Sequence, residues 1–279
     1  MKRFWKNASF RLKAGLIMTI FFLILGFVVY FIPHTNPFPN NVMQKNLPPS
    51  SEHFFGTTSQ GQDIFWLLIE AIHNSLSIGF IVAFLGTVVG VFVGLVAGFV
   101  GGGVDRVLMV ITDTFVVIPS LPVLILMTSL MRGSGSTVIL MALVLALFAW
   151  AWPSRQIRSM ALTIKERDFI HTAWFSGEGT VQVVVTEILP YALTWSLSNF
   201  MNATLSAIAS ESSLAVLGLS PANLVSLGNM IQWARQYNAI MAGRWNWILP
   251  PIIATILLFV GLFMLITGYN DYMSMKRGR

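Results

Sequence analysis

Six stretches of the chain, near 14–33, 75–100, 107–131, 133–153, 188–210 and 247–269, are almost free of ionised residues. Each is long enough to cross a hydrocarbon core, which takes about 17–25 apolar residues as a helix. Backbone amides in lipid have no water to bond, so a span of this kind must be helical. The chain is therefore expected to be an all-α polytopic membrane protein with six transmembrane helices. Composition agrees, since 55% of residues are hydrophobic and only 10% charged, outside the range of ordinary soluble domains.

The first run follows a basic tail of Lys2, Arg3, Lys6, Arg11 and Lys13. It is longer than the apolar core of a signal peptide, and the PHTNPFPNN that follows offers no small-residue cleavage site. A retained anchor over Met1–Ile32 is expected. Basic loop residues favour the cytoplasmic side. With both termini inside, the tail, Arg106, Arg155, Arg158, Lys165, Arg167, Lys276, Arg277 and Arg279 face the cytoplasm, and only Lys45, Arg132, Arg235 and Arg244 lie outside. The net charge of +6 is thus a topology signal and implies no nucleic-acid partner.

No cysteine is present, and His34, His53, His73 and His171 are scattered without ligand spacing, so neither disulfides nor a metal site is expected. The first outer segment, about 34–74, begins rich in Pro and Asn. Its second half predicts a short surface helix, with Phe65, Leu68, Ile69 and Ile72 on one face and Gln62, Asp63 and Glu70 off it. A second outer segment, about 211–246, sets turn signals at 218–221 and Gly243 around an amphipathic stretch.

In GTVVGVFVGLVAG, Gly86, Gly90, Gly94 and Gly98 fall at every fourth position. Such a stripe lets another helix approach closely in a bilayer. It predicts generic helix packing or a seam against a span of this chain or of a partner subunit. Asp113 is the single clear charge inside a span, read as a helix-end or interhelical bonding group, with an ion relay as the alternative. Pro119 and Pro122 further along are expected to bend that helix.

The longest inner loop contains ERDFIHTAWFSGEGTVQVVVTEILP, Glu166 to Pro190. Asp168 can cap a helix start, and Gly177 and Gly179 can end one, leaving two turns over about Phe169–Ser176. A helix this short needs support. Phe169 with Ala173, and Ile170 with Trp174, are i, i+4 pairs that make a compact apolar edge. A membrane surface, with Trp174 at headgroup level, and a partner protein can each receive that edge.

Ala173, three residues, Gly177, then Ile188, Leu189 and Pro190 resemble the EAA loop of permease subunits of binding-protein-dependent ABC importers. Glu166-Arg167-Asp168-Phe169 is similar to the lead-in of the dipeptide, oligopeptide and nickel branch. The likeness extends from about 48 to 272: FGTTSQGQD at 55–63, GFVGGGVDRVLMVITDTFVVIPSLP at 98–122, ESSLAVLGLS at 211–220 and LGNMI at 227–231. The 34–74 segment resembles the C-type second permease. Three places depart from the pattern: His171-Thr172-Ala173 stands for Glu-Ala-Ala, Thr58 and Gln62 for an Asp and an Arg, and Leu227 for a Trp.

The resemblance implies a type I ABC importer permease architecture. Residues 1–33 would form a cytoplasmic tail and anchor, 34–74 an extracytoplasmic segment and 75–272 a five-helix core, followed by a basic cytoplasmic tail at 273–279. Within the core, 154–187 would be a cytoplasmic coupling loop and 211–246 an extracytoplasmic loop. Glu166, Asp168, Phe169, Ile170, His171, Thr172, Ala173, Trp174, Gly177, Ile188, Leu189 and Pro190 would couple the chain to an ATPase. Implied partners are a homologous permease, two cytoplasmic ATPase subunits, an extracytoplasmic binding protein and lipid. The chain contains no G-x-x-x-x-G-K-[ST], so it is expected to be no enzyme, with ATP and Mg held on the ATPases and no cofactor of its own. Peptides, nickel or oligosaccharides are the substrates the resemblance allows. An ion-coupled carrier or channel, and a membrane scaffold, are the rival readings.

Overall fold

A computed structural model of the protein describes residues 9–33, 43–130, 138–221 and 223–277. Lys2, Arg3, Lys6, His34, Arg132 and Arg279, used above, lie outside the described residues. The described elements are helical: α1 (Phe10–Phe27), a 3-10 turn (Val29–Phe31), α2 (Ile64–Val100), α3 (Gly102–Val117), α4 (Ser120–Leu130) and α5 (Val138–Ala149). There follow α6 (Ala151–Lys165), α7 (Asp168–Phe175), α8 (Thr180–Val183), a π-turn (Val184–Ile188), α9 (Leu189–Val216), α10 (Leu227–Gln236) and α11 (Trp245–Arg277).

Phe10–Phe31, Ile64–Val100 and Trp245–Met275 are long and apolar enough to cross a membrane, and each of two bent helix pairs passes the same test as one broken span. In the first pair α3 and α4 meet at 79°. The bend expected from Pro119 and Pro122 is thus a break, because the residue before a proline is driven to extended backbone, as at Ile118 with ψ 125°. In the second, α5 and α6 meet at 43°. The inner loop expected over 154–187 therefore opens with most of α6, which continues to Lys165. Helix α9 has 28 residues, long enough to span, but buries Ser196, Asn199, Thr204 and Glu211 and is less apolar than α1, α2 and α11.

The short surface helix does not stand alone, and the boundary expected at 74 falls inside α2, a single helix of 37 residues. Asp63 Oδ1 accepts from the Phe65 and Trp66 amides at 2.9 and 3.2 Å, capping the start. Asn74 and Ser75 do not end the helix because their side chains are used elsewhere: Asn74 donates to the Val225 carbonyl at 2.8 Å, and Ser75 Oγ accepts from the Leu227 amide at 3.1 Å. Gln62 and Asp63, expected to lie off the packed face, are 1% and 2% exposed.

The chain forms two compact units, Met1–Gly79 with Ile125–Met141 and Leu205–Arg279, and Phe80–Leu124 with Ala142–Thr204. In the first, α1 and α11 touch backbone to backbone. A Cβ on Gly15 would meet Leu265 main chain, one on Gly268 would meet Leu12 main chain, and one on Gly261 would lie 2.8 Å from Met18 Cβ. Loop 43–63 is tied down by its own turn. Thr58 and Gln62 exchange backbone and side-chain bonds, with Thr58 N donating to Gln62 O at 2.9 Å and Gln62 N donating to Thr58 Oγ1 at 3.2 Å. The two departures from the family pattern in this segment are therefore each other's partners and preserve the turn. His73 is structural, stacked 3.9 Å from Tyr30 and bonded through Nδ1 to Gly26 O at 2.8 Å.

In the second unit, α2 lies along α5 and α6 through the glycine stripe. A Cβ built on Gly86 would lie 2.7 Å from Ala149 Cβ, on Gly90 2.5 Å from Pro153 Cβ, on Gly94 2.6 Å from Ser154 O, and on Gly98 2.8 Å from Ala161 Cβ. These separations are below normal contact, so only glycine permits the approach. Ion pairs then tie α3 to α6. Arg158 forks onto Asp105 at 2.5 and 2.6 Å, and Arg155 Nε lies 2.9 Å from Asp113 Oδ1.

Candidate functional site

Helix α7 begins after Arg167, whose extended backbone (φ −85°, ψ 144°) makes it the N-cap. Asp168, expected to cap, is instead the first helical residue, where its charge suits the positive end of the helix. At the other end Gly177 adopts φ +86°. Its amide donates to Trp174 O at 3.0 Å and the Glu178 amide donates to Ala173 O at 3.2 Å, which is the paired bonding of a Schellman cap. Gly179 serves differently from expectation: it is the N-cap of α8.

The edge that α7 buries is received by this chain itself. Ile170 (0% exposed) and Ala173 (8%) pack with Phe99 of α2, Ala161 and Ile164 of α6, Val183 of α8 and Ile188. The buried pair is thus i, i+3, and the two expected i, i+4 pairs split. Phe169 and Trp174 flank the packed edge, Phe169 stacking on Tyr191 at 6.2 Å and Trp174 meeting Phe99 edge-on at 6.2 Å. Lys165 donates from Nζ to Phe99 O at 2.9 Å and so occupies a carbonyl at the end of α2. Because Ala161 also faces Gly98, the glycine seam runs directly into the seat of α7.

The rest of α7 points away from the seat. Glu166, Asp168, His171 and Thr172 are exposed, as is Pro190, while Leu189 is half-buried. Sequence reasoning missed Phe175, which is 92% exposed. With about 100° per residue, it lies about 170° from the midpoint of Ile170 and Ala173, opposite the buried edge. Its helical position relative to those two was the available signal. Val181 and Val185 are exposed nearby in sequence, at 76% and 52%. Val185 lies within the π-turn that precedes Pro190, a form frequent at functional sites. Among the described residues this surface presents apolar area, at Phe175, Val181 and Val185, rimmed by polar and charged groups.

The family profile described as binding-protein-dependent transport system inner membrane component matches residues 90–277. The oligopeptide transport system permease protein OppC of Mycobacterium bovis is 28% identical over 263 residues, covering 92% of this chain and 87% of that protein. OppC of Bacillus subtilis is 30% identical over 234 residues, covering 81% of this chain and 75% of its own length. In fold, the chain is similar to a subunit of the MetNI methionine ABC transporter solved in inward-facing conformations, with a TM-score of 0.53, 20% identity, and coverage of 73% of this chain and 96% of that one. The matched residues include the glycine seam from Gly90, the whole of α7 with its seat on α6, and α9 to α11, and the chain belongs to the family of binding-protein-dependent transport system inner membrane components.

Proposed function

We propose that the chain is one transmembrane half of an ATP-driven importer that moves peptides, or a solute of similar size, into the cytoplasm. The observation that carries this reading is α7: a two-turn helix clamped to α2 and α6 on one edge, with Phe175 exposed on the other. A rigid projection of that kind transmits a push. In this reading Phe169, His171, Thr172, Trp174, Phe175 and their neighbours from Glu166 to Pro190 meet an ATPase subunit, and closure of the ATPases moves α6 and α2 with them. ATP and Mg reside on those partners, and this chain contributes no cofactor.

The full topology in this reading is six spans: α1, α2, the α3–α4 pair, the α5–α6 pair, α9 and α11, with both termini cytoplasmic. Helix α9 leaves Asn202 and Ser206 exposed. Polar groups facing lipid are unfavourable, so α9 faces a homologous permease or the pathway. An uncharged hydrogen-bonding lining suits a peptide, whose charges differ from one sequence to the next. The peptide assignment itself is supported by the two OppC relatives.

Reconstituted vesicles containing this chain, its partner permease, both ATPases and the loaded binding protein test the reading. Uptake is expected to require ATP and to be indifferent to proton or sodium gradients. Asp113→Asn is expected to leave binding-protein-stimulated ATP hydrolysis within about twofold, because asparagine keeps a side-chain oxygen toward Arg155 and the pair lies outside the seat of α7. Uptake that depends on an ion gradient and disappears with Asp113→Asn overturns the proposal in favour of an ion-coupled carrier.

Gly177→Leu is expected to insert normally but lose most uptake. Nothing lies within 4 Å of a Cβ at this site, so the penalty is the left-handed backbone alone, about 1–2 kcal/mol. Gly177→Asn should keep more, since asparagine tolerates that region. Uptake at matched expression is the measurement, and full transport by the leucine variant removes α7 from the coupling role.

A further inference from the structure

Between the 46–57 stretch and the turn that opens α11 lies a cavity of about 280 Å³. Leu47, Pro48, Thr57, Arg244, Trp245 and Trp247 form most of its wall. We propose that this cavity receives an acidic side chain of the extracytoplasmic binding protein and is a docking point for that partner. The inference rests on the orientation proposed above, which places both segments outside.

The cavity is built before anything enters it. Thr57 Oγ1 donates to Gln44 O at 2.7 Å and accepts from the Leu47 amide at 2.8 Å, fixing one wall. Asn246 donates from Nδ2 to Phe55 O at 2.9 Å, joining that wall to α11. Gly56, at φ +77°, lies where a Cβ would strike Leu47 O and come within 3.0 Å of Asn246 Nδ2, so the two walls meet there without a side chain between them. Arg244 donates to the Ser59 hydroxyl, and Ser59 in turn donates to Asn46 Oδ1 at 3.0 Å. The guanidinium is thus held in place rather than free to swing.

Its chemistry asks for an anion. Arg244 is the one charged residue of the lining, and no carboxylate faces it there. A carboxylate meets that need, bonding the guanidinium through charge-assisted hydrogen bonds.

Size and rim choose the source of the carboxylate. The volume suits a side chain, and the rim carries Trp245, 53% exposed, beside exposed Pro48 and Pro49. An exposed tryptophan beside a half-buried arginine suits a protein interface, where tryptophan and arginine dominate binding energy. The family's transport depends on a binding protein, and a folded protein is the occupant that uses such a rim.

The test exploits the absence of cysteine from the chain. Trp245→Cys is introduced into the complete complex in sealed vesicles and labelled with a membrane-impermeant maleimide. Labelling from the outside is expected; labelling only from the cytoplasmic face overturns the proposed orientation, which is a separate failure. With outside labelling established, saturating purified binding protein should slow the reaction about tenfold. Arg244→Glu should weaken binding-protein affinity about tenfold or more, with Arg244→Lys recovering part of it, and high salt should weaken the native contact. Unchanged affinity for Arg244→Glu in a complex of unchanged thermal stability overturns the inference. So does protection of Trp245→Cys by acetate but not by binding protein, which makes the cavity a small-carboxylate site. If Arg244→Glu fails to assemble, the labelling rates decide alone.

Discussion

Leucine at both Gly90 and Gly94 is expected to reduce recovery of the intact complex at least about tenfold. Even the first carbon of a side chain has no room: a Cβ on Gly90 would sit 2.5 Å from Pro153 Cβ, and one on Gly94 2.6 Å from the Ser154 carbonyl oxygen and 2.7 Å from Ile157 Cβ. Main chain cannot step aside as a flexible side-chain tip can. A single extra methylene in a packed interior costs about 1–3 kcal/mol, and two leucines force α2 off α6 outright. Gly103→Ala is the control, since nothing lies within 4 Å of its Cβ position. Complex recovered after solubilisation and its thermal midpoint are the readouts. Normal recovery of the double variant means α2 and α6 are not in contact there.

Phe175→Ser and Ile170→Ala, five residues apart, are expected to fail in opposite ways. Ile170 is fully buried among Phe99, Ala161, Ile164, Val183 and Ile188. Its truncation should cost about 2–5 kcal/mol of stability and loosen α7 from its seat. Phe175 touches almost nothing in the isolated chain, being 92% exposed. Phe175→Ser should leave insertion and thermal stability unchanged while lowering binding-protein-stimulated ATP hydrolysis and uptake about thirtyfold, the loss of about 2 kcal/mol at an interface anchor. Disrupting Phe169 and Trp174 together mixes the two effects, because Trp174 also rests on Phe99. Full uptake by Phe175→Ser sinks the assignment of this face to the ATPase.

Much of this was legible in order along the chain. Charge-free runs locate the long helices because lipid forbids unpaired backbone. Proline marks the α3–α4 break, and Gly177 marks the end of α7, because both act within a residue or two of themselves. The four-residue glycine spacing identified a close-packed face for the same local reason. The matching face was not legible. It comprises Ala149, Pro153, Ile157 and Ala161, with Ser154 beside them; they recur at every fourth position but share no residue type that would mark them as a seam. The seam of Gly15, Gly261 and Gly268 between α1 and α11 went unseen, because its members lie on two helices distant in sequence.

The sequence by itself determined the membrane class, the family likeness, the position of α7 and its glycine stop, since each depends on residues within a turn or two of one another. Tertiary structure alone decided what α7 leans on. Its apolar edge is equally suited to lipid, a partner or its own chain, and periodicity names a face without naming its occupant. Folding brings Phe99, Ala161 and Ile188 to that edge, from positions as far apart as α2 and the π-turn, and leaves Phe175 exposed on the opposite side. The cavity at Arg244 arises in the same way, from residues near 50 and near 245 that only a folded chain sets side by side.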